Sequence, residues 1–194
     1  MSSNVVPLRK PTALLQLRIE LDSVRPRVWR VIQVPESIPM ERLHRVIQIA
    51  MGWQETHLHE FIIGKLRYGT PDPEFDAPGS VISEKGVALA KALGSGRRFR
   101  YTYDFGDDWG HTLTVEERGA GSEIPPQARC LAGENACPPE DVGGPPGYAH
   151  FLEAIADPSH EAHRDMLDWC GGGFDARKFE VGSVNRKLKR LRVS

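Results

Sequence analysis

Cysteine is scarce in this 194-residue chain: Cys130, Cys137 and Cys170 are the only three. So few, and an odd number, cannot build the disulfide framework of a secreted domain. A cytoplasmic protein with reduced thiols is therefore expected. Long apolar runs are missing too. None approaches the roughly 18 residues that a membrane helix needs, and no apolar stretch after Arg9 and Lys10 resembles a signal peptide. No membrane partner is expected. An excess of one charge is also lacking, since 25 Lys and Arg face 26 Asp and Glu for a net charge of −1. That argues against a generally basic nucleic-acid binder, while a local basic patch stays open. Familiar catalytic signatures are absent as well. There is no Gly-x-Ser-x-Gly elbow, no His-Glu-x-x-His helix and no Gly-Lys-Ser or Gly-Lys-Thr phosphate loop.

Hydrophobic residues make up 40% of the chain and charged residues 26%, an ordinary balance for one folded domain. Glycine and proline are abundant, at 19 and 15 residues, so long irregular segments are expected. Residues 1–12 read as a loose N-terminal arm, and residues 13–194 as a single domain. Leu15, Leu17, Ile19 and Leu21 alternate with polar residues, which predicts a strand. Residues 28–34 read as its hairpin partner. Met40–Met51 has a helical apolar stripe, stopped by Gly52.

Residues 57–63 read as a third strand and 66–68 as a short continuation. Residues 69–79 read as loop, and 83–93 as a short helix. Residues 98–105 and 111–117 form the clearest hairpin, closed by Gly106-Asp107-Asp108-Trp109-Gly110. Residues 119–147 form a long Gly/Pro-rich segment of no sustained period, unusual inside a compact domain and often functional. Helices are expected at 148–156 and 161–169. A last helix is expected to start at an Asp175 cap and run to Leu191. Strands thus dominate early and helices late. The fold class predicted is α+β: a mostly antiparallel sheet, an early crossing helix and a C-terminal helical cluster.

Six segments carry a resemblance. They are Arg25-Pro26-Arg27-Val28-Trp29-Arg30; Leu43-His44-Arg45-Val46-Ile47-Gln48 leading to Met51-Gly52-Trp53; and His57-Leu58-His59-Glu60-Phe61. The others are Tyr103-Asp104-Phe105-Gly106-Asp107-Asp108-Trp109-Gly110-His111, Cys137-Pro138-Pro139-Glu140-Asp141-Val142-Gly143-Gly144 and Gly172-Gly173-Phe174-Asp175. In this order they resemble the plasmid pRiA4b ORF-3-like family, also described as passenger proteins of a mobile element. The resemblance spans roughly residues 14–191 as one domain. It implies an α+β fold and an association with mobile elements. It implies no catalytic residue.

Several constellations could carry chemistry. His57-x-His59 on a strand points two imidazoles to one face. With His111 and with Asp104, Asp107 or Asp108, they could hold a divalent metal, zinc or magnesium. The competing reading is buried, hydrogen-bonded histidines and ordinary Asp/Gly turn chemistry. Cys130 and Cys137, with Cys170 or a histidine, could form a structural zinc site; small buried thiols are the alternative. Pro138–Pro146 could bring backbone close to a ligand or to the protein's own sheet. Arg186, Lys187, Lys189 and Arg190 could bind nucleic acid if folding joined them to Arg97, Arg98 and Arg100 or to Arg25, Arg27 and Arg30. A solvated helix end is the plainer reading.

Two functions follow. One is a non-enzymatic binding or accessory protein, associated with a mobile element, whose partner is protein or DNA. The other is a metal-dependent hydrolase of phosphate esters or nucleic acid, using His57, His59, His111 and the aspartates of the 104–108 turn. The second requires those side chains to converge with an open coordination position.

Overall fold

The structure, a computed structural model, describes residues 13–120 and 127–193. The expected N-terminal arm lies outside these residues. One sheet of eight strands runs in the order β5-β4-β3-β6-β7-β1-β2-β8. In chain order the strands are β1 (Ala13–Leu21), β2 (Trp29–Pro35), β3 (His59–Ile63), β4 (Leu66–Gly69), β5 (Val81–Ser83), β6 (Arg98–Tyr103), β7 (Trp109–Ala120) and β8 (Arg129–Glu134). Every pairing is antiparallel except β4 with β5. The helices among the described residues are α1 (Met40–Met51), α2 (Leu89–Leu93), α3 (Gly144–Ala156), α4 (His163–Trp169) and α5 (Val181–Leu188). This is the predicted α+β class.

Alternation decides which face is wet. Leu15, Leu17, Ile19 and Leu21 are buried while Gln16, Arg18 and Glu20 point the other way. The covered face takes α1, whose Leu43, Val46, Ile47 and Ala50 are buried. Gly52 ends α1 in the left-handed region at φ 106°, its N–H reaching Gln48 O. On the same face, β3, β6 and β7 set aromatic rows in register. His59 opposes Tyr103, which opposes Trp109; Phe61 opposes Tyr101, which opposes His111. Cross-strand partners share a face, so His59 and His111 lie on the same side of the sheet.

The far end is closed by α5. Asn185 binds both backbone groups of Cys130: its Oδ1 accepts from the N–H and its Nδ2 donates to the carbonyl, each at 2.8 Å. Arg30 is fully buried there. Its guanidinium donates to the carbonyls of Ala50, Trp29, Glu134 and Asn135 and lies 3.8 Å from the Phe179 ring. Four carbonyls take the place of a carboxylate, which satisfies the fork of donors that burial would otherwise strand.

Three local expectations need correction. The run expected to be structureless contains β8, which pairs with β2. The helix expected at 83–93 shortens to α2, because residues 81–83 are claimed by the sheet edge. The last helix begins at Val181 rather than after Asp175, since Phe179 is held against Arg30.

Candidate functional site

Asp104 follows β6 and sits at φ 57°, a conformation that Asp tolerates better than most residues. Its Oδ1 accepts from the N–H groups of Gly106 (2.9 Å) and Asp107 (3.3 Å), which builds the turn. Its own N–H donates to Leu58 O at 2.8 Å, tying the turn to the strand that carries the histidines. Oδ2 is left to face His57, 3.6 Å from Nε2.

The third side comes from the Pro-rich segment. Glu140 is the clamp: its carboxylate accepts from Gln54 N–H (2.6 Å), from Thr56 Oγ1 (3.3 Å) and from the Tyr103 hydroxyl (3.1 and 3.2 Å). Burial pushes the Tyr103 phenol pKa up, and the Glu140 carboxylate adds to this, so the phenol keeps its proton to donate. Asp107 Oδ2 accepts from Gly143 N–H at 3.2 Å and fixes the far end of the segment. Between these anchors Asp141 turns at φ 59°, with Oδ1 3.0 Å from His57 Nε2.

One ligand atom each from His57, Asp104 and Asp141 therefore falls within 4.8 Å of the others. His57 Nε2 is itself buried, and although three carboxylates surround it, none is aligned to accept a hydrogen bond from it. Close approach without hydrogen-bond geometry is what convergent cation ligands show.

Of the three, His57 lines a neighbouring cleft of 610 Å³, together with His44, His59, Glu84, Arg42 and Lys85. His59 Nε2 lies 3.1 Å from both oxygens of the buried Glu84. A carboxylate only accepts, so Nε2 carries a proton toward Glu84. The His44 ring stacks on His59, centroids 3.5 Å apart and 3° from parallel. His44 Nδ1 meets the Tyr101 hydroxyl at 2.8 Å, and Gln48 Nε2 donates to that hydroxyl. The phenolic proton then goes to Nδ1, which leaves His44 its Nε2–H. Burial, then His59 and Arg45, lower the His44 pKa to about 3, so the ring is neutral.

The remaining sequence candidates divide. Asp107 and Asp108 shape the loop: Asp107 holds Gly143, and Asp108 turns at φ 53° with its carbonyl accepting from Gly110 N–H. His111 is fully buried between Tyr101 and Trp53, away from the His57 group. Burial drives its pKa to about 3; nearby backbone groups of Trp109 and Tyr101 oppose this without making well-aligned bonds to the ring.

Cys130 and Cys137 belong to no group of converging ligands among the described residues. Burial raises both thiol pKa values against the opposing charge of Arg30. Cys130 Sγ lies 3.4 Å from Ala132 O, and Cys170 Sγ lies 3.4 Å from Leu167 O. Arg186, Lys187, Lys189 and Arg190 are exposed at the end of α5. Of the other basic groups, Arg27 pairs with Glu20, Arg100 pairs with Asp22, and Arg30 is buried.

Sequence reading did not place Asp141 beside His57, and it gave no site role to His44 or Glu84. Asp141 had a signal, a stiff Pro-Pro run before paired glycines. The other two had none, because their partners are distant in sequence.

Comparison with known proteins agrees with the motifs. A curated relative, "Uncharacterized protein y4hQ" of Sinorhizobium fredii (strain NBRC 101917 / NGR234), is 40% identical over 185 residues, covering 92% of each chain. The crystal structure of a protein of unknown function, MM3350 from Methanosarcina mazei Go1, superposes with a TM-score of 0.80 at 32% identity. It covers 88% of this chain and 97% of that one. Among the described residues no helix is long and apolar enough to cross a membrane. Residues 13–183 match the family described as "Plasmid pRiA4b ORF-3-like protein", and the chain belongs to that family.

Proposed function

We propose that this is a binding protein that takes up a divalent cation through His57, Asp104 and Asp141 and uses it to hold a ligand in the adjoining cleft. The observation that carries the reading is the buried, unbonded His57 Nε2 facing the two aspartates. One imidazole with carboxylate oxygens suits zinc, manganese or magnesium. Three protein ligands leave coordination positions for water or ligand. Glu140 is committed to hydrogen bonds and acts as the clamp behind Asp141. The plasmid origin in the family's description supports an accessory role beside a mobile element.

Calorimetry with Mn²⁺ on chelator-treated protein tests the reading. One site per chain is expected, lost in both His57→Ala and Asp104→Asn. If the wild type binds no Mn²⁺, Zn²⁺ or Mg²⁺, the three side chains meet without a cation, and the reading fails.

A second reading is a metal-dependent hydrolase of phosphate esters. It is favoured by the His59–Glu84 pair, which shares the cleft and fixes the orientation of one imidazole. A cation here would lower the pKa of a bound water. Release of nitrophenol from bis(p-nitrophenyl) phosphate, dependent on Mn²⁺ and lost in His57→Ala, is its test.

A further inference from the structure

The three proposed ligands share a pattern in the chain: each is preceded by a residue of one hydrogen-bonded knot. Thr56 comes before His57, Tyr103 before Asp104 and Glu140 before Asp141. The Tyr103 hydroxyl is the centre of that knot. It accepts from Thr56 N–H at 3.1 Å and donates to the Glu140 carboxylate, whose oxygens lie 3.1 and 3.2 Å away. Thr56 Oγ1 closes the ring by donating to Glu140 Oε2 at 3.3 Å. Tyr103 is fully buried, and its backbone pairs with His59 on one side and Trp109 on the other. Its ring packs on Trp53, centroids 5.0 Å apart, and meets His57 edge-on at 5.8 Å.

We infer that Tyr103 is the positioning residue of the cation site, its hydroxyl setting the spacing of His57, Asp104 and Asp141 before a cation arrives. The inference rests on the cation-binding reading, and it adds the residue that governs how tightly that site binds. Consecutive Cα atoms lie about 3.8 Å apart. Gathering residues 56, 103 and 140 around one oxygen therefore fixes where the next residue of each segment starts. The three segments are far apart in sequence, so this contact stands in for the short chain connection they lack. Two carboxylates drawn together without a cation repel one another. The knot holds them together through folding, so the cation meets a site already arranged. Hydrogen-bond partners standing behind metal ligands are commonly worth ten- to a hundredfold in affinity.

The test is calorimetric titration of the chelator-treated full chain with Mn²⁺, wild type beside Tyr103→Phe. Affinity is expected to fall about tenfold or more, with one site per chain kept, since no ligand is removed. Tyr101→Phe is the control. Its hydroxyl lies on the same strand and face, is equally buried and bonds to His44 and Gln48, but it adjoins none of the three ligands. Tyr101→Phe should lower the melting temperature and leave Mn²⁺ affinity as it was. A hydroxyl at 103 with a merely structural role would behave in the same way. Thr56→Val removes the Oγ1 bond at an exposed residue, where the fold is not at stake, and should weaken binding about threefold. Equal or tighter Mn²⁺ binding in Tyr103→Phe, or an equal loss in Tyr101→Phe, would overturn the inference and leave the cation site standing. If Tyr103→Phe does not fold, wild-type affinity in Thr56→Val overturns it instead. A wild type that binds no Mn²⁺, Zn²⁺ or Mg²⁺ sinks the cation reading itself, and the inference with it.

Discussion

His57, His59 and His111 are one residue type on one side of one sheet, yet their surroundings assign them different work. His57 stands at the entrance to β3 and meets carboxylates. His59, two residues on, dips under α1 and meets Glu84 and His44. His111 is enclosed by aromatic rings with neither nitrogen well bonded. A buried polar atom left unbonded costs about 1–3 kcal/mol. His111→Phe should therefore leave stability equal or raised, measured by urea unfolding at neutral pH. The same variant has a pH signature. Burial lowers the pKa of His111 from 6.5 to about 3, so between those values the unfolded chain binds more protons than the native one. Stability is full above pH 6.5 and falls as the pH drops toward 3. The wild type should lose more stability than His111→Phe over that window, read as the difference between their melting temperatures. Parallel pH curves would mean that His111 is not buried as a neutral ring.

At the scale of the element, the site depends on how closely the 138–147 segment docks on the 104–108 turn. Gly144, at φ 67°, has no room for a side chain: a Cβ would come 2.4 Å from Asp107 O. Gly147 is as tight, with Val142 O at 2.0 Å from a Cβ. Gly144→Ala should cost about 1–3 kcal/mol from strain at positive φ and displaced backbone. It should also weaken Mn²⁺ binding, although residue 144 is no ligand, because Asp141 would be lifted off His57. Calorimetry beside a melting curve checks both effects. Unchanged metal affinity would show that the segment moves independently of its glycines. The local corrections share one cause. β8, β5 and the stretch before α5 owe their form to partners remote in sequence: β2, β4 and the Arg30–Phe179 contact. Local periodicity carries no trace of such partners, and tertiary pairing overrides weak local preference.

For the whole molecule, the proposed ligands come from three separated regions: the lead-in to β3, the β6–β7 turn and the Pro-rich segment. A cation would join them and bind the native state only. Saturating Mn²⁺, at a hundredfold over its dissociation constant, should stabilise the fold by about 2.7 kcal/mol. The melting temperature should rise with Mn²⁺, return with chelator and stay fixed in Asp104→Asn. A rise that persists in that variant would place the cation elsewhere.

Periodicity and composition alone determined the α+β class, the central strands, α1 and the aromatic face, because burial of apolar side chains is written locally in the spacing of residues. They also brought His57 and Asp104 into one group of candidates, through a strand and a turn that local chemistry encodes. Only the tertiary structure decided which histidine meets carboxylates, which is walled into the core and which pairs with Glu84. It also decided that Asp141, 37 residues beyond Asp104 in the sequence, completes the group. Side-chain convergence depends on strand order and on where a loop docks, and both are settled by contacts between residues far apart in the chain.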